Sequence, residues 1–247
     1  MKDELGDRIK SFYEDRYRFY LTRRTPVIIR LDGNAFHTFT KGLEKPFDKD
    51  FMLIMQKTCK YLCENIQGCV GGYVQSDEIS LLLIDYKNLN SDAWFDYNLQ
   101  KIVSIAAAKA TLAFNKYVDY VAYTDDSPRC WEYRMDKATF DARAFNIPEE
   151  EVCNYFIWRQ KDATRNSINS LAQAHFSHSK LQGKSLSEVQ DMLINIGINW
   201  NDLPTEQKRG SFIRKYEEFH TNVAERWIID KNMPILTERR NYIEELI

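Results

Sequence analysis

The chain has 247 residues, 44% of them hydrophobic, enough for a sizeable core in one large domain or two small ones. A formal net charge of −2 carries no overall signature of a nucleic-acid partner, and no run approaches the ~18 apolar residues of a membrane span. Five cysteines without a CxxC pair (Cys59, Cys63, Cys69, Cys130 and Cys153) and four histidines away from them argue against a disulfide framework or structural zinc; with a charged N-terminus lacking an apolar signal region, a reducing, cytoplasmic setting is expected.

Residues 3–20 read as a helix of mixed aromatic and charged positions. Between Arg8 and Arg24, Arg8, Lys10, Arg16, Arg18, Arg23 and Arg24 are interleaved with Tyr13, Tyr17, Phe19 and Tyr20, against only Glu14 and Asp15. This suits phosphate neutralisation and base stacking, or simply a solvated helix face. TPVIIRLDG (25–33) predicts a buried strand running into a loop at Asp32-Gly33. Residues 48–66 predict an amphipathic helix capped by Asp48. CVGGYVQ (69–75) and ISLLLIDY (79–86) predict two strands joined by Ser76, Asp77 and Glu78. An Ala-rich helix follows over 94–117, then a strand over 139–148 ended by Pro148, a mostly helical stretch over 149–196 and a strand pair within 211–236.

The order β-α-β-β-α-β across 25–148 predicts an α+β fold, an antiparallel, ferredoxin-like sheet with helices on one face, followed by a mainly helical C-terminal part with a strand pair. The expected internal boundary lies near 148, giving a catalytic region over 1–148 and a second region over 149–247, packed as one compact unit. Taken alone, Asp77 and Glu78 are equally turn residues or ligands. If the first strand neighbours the hairpin in register, Asp32 and Asp77 converge at one sheet edge, and converging acids repel unless a cation lies between them. Oxygen ligands on a rigid sheet suit magnesium, which recruits substrate phosphates. Gly33 allows a sharp turn beside the acid. Lys41, Lys45 and Lys101 are candidates to hold a triphosphate, although an exposed lysine is the commoner role.

RLDGNAFHTF (30–39), KPFD (45–48), YVQSDE (73–78), WRQKDATRNSINSL (158–171), KLQG (180–183) and GINWNDLPTEQKRG (197–210) resemble, in order, segments of the tRNA-His guanylyltransferase family. The resemblance implies a polymerase-palm-like fold, two magnesium ions and a homotetramer that adds nucleotides to the 5′ end of tRNA in the 3′-to-5′ direction, with ATP, GTP or other nucleoside triphosphates as substrates. It implies Asp32 and Asp77 as carboxylates ligating both metals and Gly33 as a main-chain carbonyl ligand. Glu78 becomes an acid needed near them. Asn34, Ala35, Phe36 and His37 form the loop that holds the incoming nucleotide. Ser76 borders that site, and Lys45, Asp48 and Lys101 stand around its phosphates. His37 reads equally as a half-buried structural imidazole; His175 and His178 read as structural or surface residues.

The tRNA-His-specific members carry HINNLYN after WRQxDx. Here Thr164, Arg165, Asn166, Ser167, Ile168, Asn169 and Ser170 stand in its place, with the first motif asparagine retained at Asn166 and a conservative Ile168. The chain therefore looks more like the family's "-like" branch, which favours templated addition and rebuilds 5′-truncated tRNAs. Dedicated guanosine addition, another palm-type enzyme and a non-catalytic tRNA-binding module are the alternatives. Arg16, Arg18, Arg23, Arg24, Arg159, Arg165, Lys208 and Arg209 are candidate RNA contacts.

Overall fold

The computed structural model describes residues 3–123, 131–216 and 226–247, so Cys130 and the middle of the expected 211–236 strand pair lie outside the described residues. Six strands form one antiparallel sheet: β1 (Val27–Gly33), β2 (Cys69–Gln75), β3 (Glu78–Leu83), β4 (Phe140–Asn146), β5 (Ser211–Tyr216) and β6 (Arg226–Asp230), in the order β4-β1-β3-β2-β5-β6. The first four strands have the ferredoxin-like arrangement read from the element order, and β5 extends the sheet by pairing with β2. The region after residue 148 thus continues the sheet begun before it.

β1 and β3 are central strands, and every residue of β3 is buried. That explains their nearly unbroken apolar composition, since both faces are covered. On the first face Val27, Ile29 and Leu31 meet α3 (Lys49–Asn65) and α4 (Leu99–Ala122). The Asp48 carboxylate accepts from the Phe51 amide at 2.9 Å and caps α3, whose Phe51, Ile54, Met55, Cys59, Leu62 and Cys63 recur at helical spacing and are buried. The α4 helix begins later than the alanine pattern suggests. Phe95, Asp96 and Tyr97 take left-handed φ of 50°, 51° and 55°, and the Asn98 side chain then caps the helix by accepting from the Lys101 amide.

The second face is covered by the C-terminal part. The two helices of the ferredoxin-like unit share the first face as expected, and the first helix of the C-terminal part, α5 (Glu149–His175), for which no face was expected, packs on the other, where Val152, Tyr155 and Phe156 join Ile28, Tyr73, Leu82 and Phe212. Pro148 ends the preceding loop and starts this helix, followed by Glu149, Glu150 and Glu151 in a first turn that favours negative charge. Beyond α5 a satellite cluster of Leu171, Val189 and Leu193 holds α7 (Leu186–Ile194). At the N-terminus α1 (Glu4–Ile9) continues through a wide π turn and a tight 3-10 turn as far as Tyr17, with no residue buried. No described helix is long and apolar enough to cross a membrane.

Phe114 of α4 is fully buried and meets Phe36, Phe39, Phe51 and Phe140 edge-on, with ring centroids 5.2, 5.4, 6.2 and 5.4 Å away. Phe114→Ala should cost about 3–5 kcal/mol, measured by chemical denaturation.

Candidate active site

The register of β1 against the hairpin builds the site. Asp32 lies opposite Glu78 on β3 and opposite Asp141 on β4. Gln75 pairs with Glu78, so Ser76 and Asp77 form a two-residue turn, and Ser76 has a left-handed φ of 48°. The Gly33 amide donates to the Asp77 carbonyl at 3.0 Å and ties the end of β1 to this turn. Asp32, Gly33 and Asp77 therefore meet at one end of the central strands. Burial pushes the Asp77 carboxyl above its ordinary value of 3.8, and the charge of Asp32 adds to this; its own amide and the Ser76 hydroxyl pull the other way.

The loop after Gly33 is shaped by an aromatic anchor. The Phe36 ring is buried, so the part of this residue left for a ligand is its backbone. A Cβ on Gly33 would lie 2.4 Å from that ring, which is why the position is glycine. Asn34 donates its amide to the Thr139 carbonyl at 2.9 Å. Ala35 takes a left-handed φ of 54° and leads into the short α2 (Phe36–Phe39). Amides at a helix start have no intrahelical acceptor, so those of Phe36 and His37 are available to an anion. His37 is exposed, not half-buried, and its Nε2 lies 3.1 Å from the Thr38 hydroxyl. Arg134 reaches in from the far side and donates to the carbonyls of Phe39 and Lys41, which closes the loop.

Glu78 stands next to the paired acids, as the register partner of Asp32, with its carboxylate engaged by arginine. Its two oxygens accept from Arg159 Nε and Nη2 at 2.7 Å each, and Arg30 Nε stands 3.5 Å away. Arg159 and Glu78 expose only 6% and 9% of their side chains. This fork fixes Glu78 beside Asp32, and through it orients the hairpin against Arg159. Arg159 also donates to Asp162 at 2.9 Å.

Lys101 is not brought to this end within one chain. The Phe140 amide donates to Thr111 in the middle of α4, and Phe140 pairs with Gly33. Lys101 lies ten residues earlier on that helix, roughly 15 Å along its axis at 1.5 Å per residue, with its ammonium over the Phe95 ring. Asp48 has both oxygens engaged, accepting from the amides of Phe51 and Glu44. Lys45 is exposed beside it. Of the candidate RNA contacts, Arg18 is paired with Glu14 and Asp15, Arg23 with Asp85 and Asp96, and Arg165 with Asp162. His175 and His178 are exposed and separated by the break between α5 and α6 (His178–Leu181).

Sequence reasoning missed a cleft of about 140 Å³ beneath the hairpin turn. Ser76, Gln75 and Asp48 line one side; Asn166, Ser167 and Ser170 of α5 line another. The short α8 (Thr205–Arg209) and Gly210 close it. Gly210 has a φ of 80°, and a Cβ there would lie 2.5 Å from the Val74 carbonyl, so only glycine lets the chain pass this close to β2. The signal in the sequence was WRQKD…SINS and LPTEQKRG, legible as segments but not as two walls of one cleft.

Among the described residues no three His, Cys, Asp or Glu side chains are grouped to hold a metal. The donors at the β1 end are two carboxylates and the Gly33 carbonyl, all oxygen. Magnesium fits that set, because it binds through one or two carboxylates and takes its remaining ligands from water and substrate phosphates.

An antiparallel palm-like sheet with paired acids at the end of its central strands defines a nucleotidyltransferase. A sequence profile of the tRNAHis guanylyltransferase family matches residues 6–148. The chain belongs to that family. It is 46% identical to a bacterial tRNA(His) guanylyltransferase (Thg1)-like protein solved in complex with ATP, over 99% of both chains, with a TM-score of 0.87. With the Thg1-like protein solved in complex with GTP the identity is 45%, again over 99% of both, with a TM-score of 0.83. The tRNA(His) guanylyltransferase of Debaryomyces hansenii is 28% identical over 228 residues, covering 85% of this chain and 80% of that protein.

The buried fork yields a stability prediction. Glu78→Ala or Arg159→Ala strands a charge and should each cost about 3–5 kcal/mol in a denaturation titration. The double variant should cost less than the sum, because it strands neither partner.

Proposed function

We propose that the protein extends the 5′ ends of tRNA in the 3′-to-5′ direction, rebuilding 5′-truncated tRNAs against a template strand. The observation that carries this reading is the meeting of Asp32, Gly33 and Asp77 beside the loop 34–37. In the first step an oxygen of the RNA 5′-monophosphate attacks the α-phosphorus of ATP; pyrophosphate leaves and the 5′ end is adenylylated. In the second, the 3′-hydroxyl of an incoming nucleoside triphosphate attacks that 5′ phosphorus and AMP leaves. The relatives solved with ATP and with GTP support both nucleotides as substrates.

Asp32, Asp77 and the Gly33 carbonyl would hold two magnesium ions. Magnesium, when bound there, lowers the pKa of the attacking hydroxyl and neutralises triphosphate charge. The chain's own part is placement. The amides of Phe36 and His37, the His37 ring and Lys45 border the triphosphate, and Ser76 keeps the Asp77 carboxylate in position. Alignment and charge stabilisation carry such reactions, so no dedicated general base is required. We further expect a homotetramer in the cytoplasm; Leu5, Ile9 and Phe12 near the N-terminus are exposed apolar residues available for self-association.

Guanosine addition to tRNA-His is the second reading, favoured by relatives bearing that name. The substitutions across Thr164–Ser170, two of which, Ser167 and Ser170, line the cleft under Ser76 beside the retained Asn166, favour repair. A competition assay decides. Full-length tRNA-His and a tRNA lacking its first nucleotide are offered together, with each nucleoside triphosphate supplied separately. Repair requires preference for the truncated tRNA and addition of the base that pairs with the template; a strong preference for full-length tRNA-His overturns it.

Asp77→Asn separates chemistry from stability. A carboxyl whose folded pKa is raised costs stability above its unfolded pKa, and that cost vanishes when both states are protonated. The variant should therefore melt above the wild type at pH 7 without metal, the two converging as the pH falls below 3.8. Its nucleotide addition should fall by more than the about 10–100-fold that loss of an outer-shell metal partner costs.

A further inference from the structure

Trp158 is an exposed aromatic that the two-acid site leaves unexplained. It sits on α5, on the sheet face that carries Asp32, yet 52% of its surface is open to water. Its setting is rigid. The Arg159 guanidinium lies 4.4 Å from the ring centroid, which places it face-on, and the Arg30 guanidinium lies at 5.8 Å. Tyr155 meets the ring edge-on, with centroids 5.8 Å apart and planes at 69°. Arg159 is itself buried and forked onto Glu78, the residue paired with Asp32. The indole is thus laid flat over a fixed buried cation. With that cation against one side of the ring, the 52% of the residue open to water leaves indole surface for a ligand to cover.

An indole with one face on a cation and the other in water is a stacking surface. The surroundings suit a phosphate-bearing ligand. Arg143 is the register partner of Arg30 across β1 and β4, about half exposed and held by Asp141 at 3.0 Å. Arg165 lies two turns beyond Trp158 on the same helix face, exposed and held by Asp162. A lone exposed tryptophan needs no explanation; one clamped by two arginines, with further arginines held beside it, does. We propose that Trp158 is a stacking platform for an unpaired nucleobase of the RNA acceptor end, holding the strand whose 5′ phosphate is presented to Asp32 and Asp77. The choice of RNA as ligand rests on the nucleotidyltransferase reading above; the platform itself rests on the ring's geometry.

The test uses the full chain and acceptor-stem hairpin RNAs, intact or with an abasic residue at either the 5′ or the 3′ terminus. Trp158→Ala should weaken binding of the intact hairpin, and raise its KM in 5′ extension, by roughly 5- to 140-fold, the range for losing an aromatic partner of one stacked base. The kcat at saturating RNA and the KM for the nucleoside triphosphate should be unchanged. Trp158→Phe should recover most of the affinity. On one of the two abasic hairpins the difference between wild type and Trp158→Ala should disappear, which identifies the stacked terminus. Binding of the intact hairpin should quench tryptophan fluorescence in the wild type and much less in Trp158→Phe. A penalty that persists on both abasic hairpins, or a KM change confined to the nucleoside triphosphate, overturns the proposal. The binding and quenching measurements do not need turnover. Absence of extension by the wild type therefore counts against the proposed function and leaves this inference to be judged on RNA binding.

Discussion

The site depends on the register between β1 and the β2–β3 hairpin. The hydrogen bond from the Gly33 amide to the Asp77 carbonyl closes a ladder in which Asp32 faces Glu78, Leu31 faces Ile79 and Ile29 faces Leu81. A slip of one residue would turn Ile29 and Leu31 out of the α3–α4 core and carry the Asp32 side chain to the wrong face. The same burial that stabilises the strands therefore fixes the carboxylates, and the acids need no hydrogen bonds to each other to be placed. Their mutual repulsion is a cost carried by this hydrophobic register, and it leaves the end of the sheet disposed toward a cation.

Two supports hold this edge from opposite faces. On one, Phe36 enters a cluster with Phe39, Phe51, Phe114 and Phe140, so the loop after Gly33 is anchored by a ring while its backbone and His37 stay at the surface. On the other, the Glu78–Arg159 fork joins β3 to α5. Removing two such charges from water is expensive, and the geometry that compensates is a fully satisfied pair, with Asp162 taking a further guanidinium N–H. Such a pair contributes little net stability but tolerates few alternative arrangements. Here it sets α5, and with it Trp158, relative to the reactive end.

The strands, the two first-face helices and the convergence of Asp32 with Asp77 were legible because they rest on local signals: apolar runs, an Asp cap at 48, a short turn at 76–77. The role of Glu78 was not, because the fork needs Arg159, 81 residues away, and only the packed second face brings it there. The same distance hid the covering of that face, since a helical period does not say which side of a sheet a helix will take. The burial of the Phe36 ring and the distance of Lys101 within one chain were hidden for a related reason. A family segment names positions but not directions, and one ring turned into the core while one lysine sat at the far end of its helix.

The C-terminal segments acquire a physical role from the cleft they enclose. Trp200 Nε1 donates to Ser167 Oγ at 2.9 Å, Gln56 donates to Glu206 and to Ser211, and the Tyr73 hydroxyl donates to the Arg209 carbonyl at 2.6 Å. These contacts bind the stretch 197–210 to α5, α3 and β2 at once. The stretch 164–170, where the chain departs from the tRNA-His-specific motif, is therefore not a remote variation. Asn166, Ser167 and Ser170 face the same space as Ser76, one residue from the acid at the hairpin turn. A change of side-chain size or hydrogen bonding there alters the wall against which a substrate must lie to reach Asp77 and leaves the acids undisturbed. Chemistry and substrate choice are in this way carried by different elements, the register of the sheet and the wall of the cleft, and one can vary while the other is held.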